Sequence, residues 1–264
     1  MNEHMEVPFQ YLSCEKFLWE LLNEVNCRQI HHEIIGEDHC ERTGIHYPLI
    51  RLNVNPKCER RVCIISGIHG NEIAGPLYLL HLFSKDFFCK LPRIFHYVIY
   101  PLVNPTGFDL RQRYDDDYRD LNAVYKTTMT SKNYTENQVI MSDVIQYLPF
   151  EAVITLHEDS DTEQFYMYGL GAHNIPFYHE ICQAGRGFCE PWCNANIYGL
   201  HSDEHGFVLS TTRDHAFDGY FYAKGYAPVA CTFETPGKLD ITFRTKMMVE
   251  ILLFFCKRLA KNFP

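Results

Sequence analysis

Three short apolar runs in this chain each close on a side chain that can bind a metal or carry a proton. Arg61 to Ile68 leads into His69-Gly70-Asn71-Glu72, and Ala152 to Leu156 into His157-Glu158-Asp159. Pro228 to Phe233 leads into Glu234, just before Thr235-Pro236-Gly237. Aliphatic, β-branched runs of this length read as buried strands. After Asn71 the pattern turns helical, with Ile73, Ala74, Leu77, Leu80 and Leu82, and Pro76 fits because it falls in the first turn. His69, His157 and Glu234 are therefore expected at strand ends, the rim where open α/β sheets place their sites.

Two imidazoles and a carboxylate form the ligand set of a catalytic zinc, in which three protein ligands leave a fourth position open. The H-x-x-E spacing lets His69 and Glu72 converge on one ion, and His157 offers the third donor. Each motif alone also has a plainer reading, as a strand-end histidine or a loop-edge carboxylate. Their joint occurrence favours the metal. Glu234, outside the ligand set, could accept a proton from an attacking water and return it to a leaving amine. Glu158 or Asp159 could orient the His157 ring.

In order, the chain carries His69-Gly-Asn-Glu72, Asn104-Pro-Thr-Gly107, Arg113, Asp120-Leu-Asn122, His157 and Glu234. This series resembles the zinc carboxypeptidase family of the M14 type over roughly residues 60 to 237. The stretch from Leu156 to Tyr168 is similar to a short bacterial branch without a pro-domain, which includes the rapid encystment phenotype protein. The resemblance implies one zinc per chain on His69, Glu72 and His157. It implies Glu234 as general base and then acid. Arg113 would polarise the scissile carbonyl, and Asn122 would hold the substrate's terminal carboxylate. An Arg also forks well onto a carboxylate, and a fixed guanidinium stabilises charge developing on oxygen. Arg111 and Arg119 are rivals for the role of Arg113.

Two departures bear on the reaction. The family pattern continues D-x-N-R, but here Ala123 follows Asn122. Arg111, Arg119 or Arg213 would have to replace that clamp. The mobile tyrosine of digestive members has no clear counterpart, Tyr220 and Tyr222 being the nearest. Peptide C-terminal cleavage is thus the first expectation. Aspartoacylase- or succinylglutamate desuccinylase-like deacylation of N-acyl amino acids and murein peptide amidase activity are alternatives on the same frame. A non-catalytic binding module is the third reading, and Glu234 argues against it.

The net charge of −9 excludes nucleic acid and anionic membranes as expected partners and leaves a peptide or acyl amino acid substrate. No apolar run reaches membrane-spanning length, and Met1 to Glu6 lacks the apolar core of a signal peptide. The 11 cysteines are an odd number without repeating spacing, which suggests reduced thiols and a cytoplasmic setting, with export lacking a classical signal as the alternative. Cys189 and Cys193 are the one close pair and read as loop thiols.

The expected architecture is a three-layer α/β/α fold with a mixed, mostly parallel central sheet, in one domain spanning 1–264. An N-terminal helix (Ser13 to Asn26) and an edge hairpin within residues 1–60 would pack on it. The hairpin pairs Ile30–Ile35 with Tyr47–Val54, turning near Gly36-Glu37-Asp38. Further elements are a strand over Ile94–Val103 and a helix from a Thr135/Gln138 capping box to Leu148. Helices are also expected from Asn174-Ile175-Pro176 and over Asp240–Leu259. Asn104 to Asn133 reads as a long polar loop, functional or disordered. His31-His32 would point to opposite faces of a strand. His201, His205 and Asp115-Asp116-Asp117 read as solvated loop residues. Oligomeric state is not legible.

Overall fold

The computed structural model describes residues 12–123, 135–211 and 216–262. Its strands are β1 (His31–Cys40), β2 (Ile45–Val54), β3 (Arg60–Ser66), β4 (Phe95–Tyr100), β5 (Ala152–Asp159) and β6 (Tyr166–Gly169). The remaining strands are β7 (Asn196–Ile197), β8 (Leu200–His201), β9 (Phe207–Leu209) and β10 (Val229–Pro236). Eight of them form one sheet in the order β1-β2-β4-β3-β5-β10-β6-β9. Its centre, β4-β3-β5-β10, is parallel, while β1-β2, β2-β4 and β10-β6 pair antiparallel. The α/β expectation and its mostly parallel centre hold.

The helices among the described residues are α1 (Cys14–Cys27), α2 (Ala74–Ser84), α3 (Pro105–Leu110), α4 (Thr135–Val144), α5 (Ile175–Gly185), α6 (Phe217–Ala223) and α7 (Ile241–Lys261). The sequence dictates several of their ends. Ser13 Oγ accepts the Lys16 amide at 3.2 Å and starts α1. Asp240 accepts the amides of Thr242 and Phe243 and starts α7. Pro176 occupies the first turn of α5. None of the described helices is long and apolar enough to cross a membrane.

Alternation along the strands divides the core in two. Val62 and Ile64 of β3, Ile154 and Leu156 of β5, and Cys231 and Phe233 of β10 face a large cluster covered by α1, α2, α5 and α7. Cys63, Ile65 and Val153 face the opposite cluster, covered by α4 and α6. By the same alternation His157, Thr155, Thr232 and Glu234 lie on the α4–α6 side.

The structure corrects several boundaries. The edge hairpin turns at Glu41-Arg42-Thr43-Gly44, with Gly44 at φ 70°, not at Gly36-Glu37-Asp38. Gly36 instead sits at a bulge inside β1, where a Cβ would come within 2.7 Å of Val139. β5 and β10 run on through His157 and Glu234, because their pairing continues to Asp159 and Pro236. α4 ends at Val144, and Ile145–Tyr147 is a 3-10 turn. The described part of the Asn104–Asn133 stretch contains α3 and a 3-10 turn at Leu121–Ala123. Thr135, the start of the expected capping box, is the first residue of α4.

Candidate metal and catalytic site

Gly67, at φ 63°, ends β3 and turns the chain so that His69 and Glu72 reach the sheet's C-terminal rim. This loop is locked from below. Asn104 Oδ1 accepts the Gly107 amide at 2.7 Å, while its Nδ2 donates to the Ile68 carbonyl at 3.3 Å and the Arg113 carbonyl at 3.5 Å. One amide side chain thus ties the His69 loop to the Arg113 loop. Gly70 lies directly against the backbone of Gly107, and a Cβ on Gly70 would stand 1.9 Å from the Gly107 carbonyl carbon. Gly70 requires glycine for that close approach, whereas a Cβ on Gly107 would come within 2.5 Å of Asn104 Nδ2 and 2.6 Å of the Tyr114 carbonyl oxygen.

His69, Glu72 and His157 converge and are all buried, with one ligand atom of each within 4.8 Å of the others. The two histidines present Nδ1. His69 Nδ1 is 2.6 Å from Glu72 Oε1, His157 Nδ1 is 2.8 Å from Glu72 Oε2, and the two Nδ1 atoms are 3.2 Å apart. Donor atoms around a tetrahedral zinc stand about 3.3 Å apart, so this trio needs only slight spreading to accept such an ion. The remaining nitrogen of His69, Nε2, is 3.1 Å from Asp120 Oδ1, which turns the Nδ1 lone pair toward the site.

Electrostatics agree with a set of donors awaiting a cation. Burial pushes the Glu72 carboxyl up, but the two imidazoles outweigh it and hold the group well below the usual carboxylate range. Burial lowers His69, yet Glu72 and the hydrogen bonds to Asp120 and Glu72 raise it overall to about 9. His157 is driven down by burial. One proton on His69 therefore accompanies the ionised Glu72, and an ion would displace it.

Above the trio is a cavity of about 380 Å3. Glu234 lines it from β10, where it pairs in register with His157 on β5. Arg113 lines the opposite wall, 3.3 Å from Glu72 Oε1 through its Nη1 and 3.1 Å from Asp120 Oδ2 through its Nη2. Asn122 is also in the lining, and its Oδ1 is buried without a protein partner. All six residues singled out from the sequence meet in this one cavity.

The proposed replacements for the missing clamp do not. Arg111 donates to the Leu12 carbonyl and lies over the Phe108 ring, and Arg119 pairs with Asp115 and Asp117. Arg213 lies outside the described residues. Of the Asp115–Asp117 run only Asp117 is a solvated turn residue, because Asp115 is fully buried under Arg119 and Asp116 pairs with Arg42. Neither Glu158 nor Asp159 orients His157. Glu158 pairs with Arg244, while Asp159 accepts from Tyr166 and Tyr198 at 2.8 and 3.3 Å.

Tyr220 and Tyr222 belong to α6 and are not in the cavity lining. Tyr198 is, from the tip of the β7–β8 hairpin. His201 and His205 sit apart, around Asp203 and His179, and His31 pairs with Glu33 on the edge strand. All 11 cysteines are free thiols, Cys189 and Cys193 included. The sequence reading missed Asp120 as the partner of His69, and Tyr166, Tyr168 and Tyr198 as an aromatic wall. The D-x-N pattern could have indicated Asp120, whereas nothing local marks Tyr198.

Residues 58–192 match the model of the succinylglutamate desuccinylase/aspartoacylase catalytic domain. The chain belongs to the succinylglutamate desuccinylase/aspartoacylase family. This family and the M14 carboxypeptidases share a superfamily, as the resemblance in the motifs implied. Solved structures show the same fold. A protein of Shewanella amazonensis described as a candidate metallopeptidase is 22% identical, with a TM-score of 0.77 over 93% of this chain and 92% of that one. A metallo-carboxypeptidase of Burkholderia cenocepacia is 14% identical, with a TM-score of 0.73 over 94% of this chain and 69% of that one. One from Pseudomonas aeruginosa, in complex with (2-guanidinoethylmercapto)succinic acid, is 12% identical, with a TM-score of 0.71 over 93% and 69%. No curated protein matches the sequence. This member of the succinylglutamate desuccinylase/aspartoacylase family is a hydrolase with a buried His-Glu-His trio that could hold a metal ion.

Proposed function

We propose that the chain is a single catalytic domain that uses one zinc ion to cleave the C-terminal amide bond of a peptide, a metallocarboxypeptidase. The observation that carries this reading is the register between Glu234 and His157. It sets a carboxylate outside the ligand trio beside the metal site, where a binding module would need none.

His69, Glu72 and His157 would hold the ion through two nitrogens and an oxygen, a donor set suited to zinc. Bound there, zinc would acidify water and polarise the scissile carbonyl. Glu234 takes the proton of the attacking water and delivers it to the departing amine. Arg113 faces the developing negative charge, with Asp120 fixing its guanidinium. Asn122 offers its amide to the terminal carboxylate. The walls of Tyr166, Tyr168 and Tyr198 exclude water and give the residue beside the scissile bond an aromatic surface.

The lining favours a peptide over a dicarboxylic acyl amino acid. Besides the ligand Glu72 and Glu158, which pairs with Arg244, the described lining holds Asp159 and Glu234, and Arg113 is its one Lys or Arg. Asp159 and Glu234 would repel a second carboxylate placed beside them. The second reading, deacylation of an N-acyl amino acid, is favoured by the family match over 58–192. The free thiols fit a reducing, cytoplasmic setting.

Zinc-loaded protein incubated with a mixed peptide library and a panel of N-acyl amino acids, read by mass spectrometry, tests this. Loss of single C-terminal residues supports the carboxypeptidase. Free amino acids from the acyl panel alone establish the deacylase, and no cleavage of either removes both.

A further inference from the structure

Below the metal ligands lies a buried polar row that the hydrolytic roles leave unused. β5 and β10 place Thr155 opposite Thr232 and His157 opposite Glu234. These four share one face of the sheet, the face that α6 covers. Thr155 Oγ1 and Thr232 Oγ1 are 2.6 Å apart, and the Thr232 hydroxyl donates to Asp218 Oδ2 at 2.9 Å. Asp218 stands in the first turn of α6 and is completely buried.

Two atoms in this layer are unmet. Asp218 Oδ1 and His157 Nε2 are each buried without a hydrogen-bond partner. Their chemistry is complementary. When His157 gives its Nδ1 lone pair to a metal, the ring proton resides on Nε2, which is then a donor only. Asp218 Oδ1 is an acceptor, and its carboxylate is among the charges that act on His157. The other histidine already shows such an arrangement, with Asp120 on its Nε2 at 3.1 Å.

Resting on the metal-site reading above, we propose that Asp218 is the positioning residue for His157. Its Oδ1 accepts the Nε2 proton, through one bound water or after a small rotation, and so holds Nδ1 toward Glu72 and His69. Thr232 anchors the other carboxylate oxygen and thereby aims Oδ1. Asp218 touches no substrate and acts only through the ring.

The test compares wild type with Asp218→Asn, and with Thr232→Val as a milder perturbation of the same chain. Zinc affinity is read by chelator competition, ligand geometry by the visible spectrum of the cobalt-substituted protein, and folding by melting of the metal-free form. The proposal expects Asp218→Asn to lose about 10- to 100-fold in zinc affinity with an altered cobalt spectrum and little change in metal-free melting. Thr232→Val should lose less. Wild-type affinity and spectrum in Asp218→Asn would overturn it. Should that variant fail to fold, nitrogen NMR of imidazole-labelled, zinc-loaded wild type decides. A protected Nε2 proton on His157 supports the hydrogen bond, and a rapidly exchanging one refutes it. Absence of zinc binding by wild type would instead defeat the metal reading itself.

Discussion

Glu234 on β10 and His157 on β5 are direct partners across two parallel strands, so the proposed base and a proposed metal ligand are held one strand spacing apart by the sheet itself. Neither depends on a loop for its place.

That relationship separates metal binding from proton transfer. Glu234→Gln should retain one zinc per chain while kcat falls about a hundred- to ten-thousand-fold. Metal analysis and steady-state kinetics on the same preparation check this, and turnover near wild type would exclude Glu234 as the base.

The trio makes the opposite prediction. His157→Ala or Glu72→Gln should lower zinc content to well under one per chain, and a chelator should abolish wild-type turnover until zinc is returned. Full metal occupancy in either variant would remove that residue from the ligand set.

Arg113 forks onto Asp120 through Nε and Nη2 at 3.2 and 3.1 Å. Arg113→Lys keeps the charge but loses the fork. We expect kcat to drop roughly a hundredfold, with KM changing much less, if the guanidinium acts on transition-state charge. A change confined to KM would reassign Arg113 to substrate binding.

A second titrating group lies away from the site. Glu136 is 3% exposed, and burial, with the Asp38 charge next, raises its carboxyl from 4.5 to about 8. Asp115 pushes in the same direction. The folded protein keeps this proton while the unfolded chain has released it. Stability from this group is therefore full below about pH 4.5 and is lost as pH rises toward 8. Glu136→Gln should flatten that decline, seen as a higher melting temperature than wild type at pH 8 and above. An unchanged slope would show that Glu136 ionises normally.

Much of this was legible from residue order. The convergent trio of His69, Glu72 and His157, together with Glu234 and the helices begun by Ser13 and Asp240, announces itself through local pattern. What escaped depends on distant partners. Gly36 looks like a turn residue, yet it is needed because Val139 packs where its side chain would be. β6 has four residues and is a strand only because β10 and β9 flank it. Arg111 and Arg119 differ from Arg113 solely in which way the folded loop turns them. Tyr198 reaches the cavity, and Asp218 the layer of Thr155 and Thr232, from segments whose sequence carries no motif.

The contact of Gly70 with Gly107, and the Asn104 side chain that braces both loops, help set where His69 and Glu72 stand. Much of what places the centre therefore lies in contacts that involve no metal-ligand atom. Departure and return of the ion become local exchange events rather than cycles of unfolding. Metal-stripped protein should thus survive purification and accept different divalent ions in the same cradle, which would make this chain a practical scaffold for metal substitution.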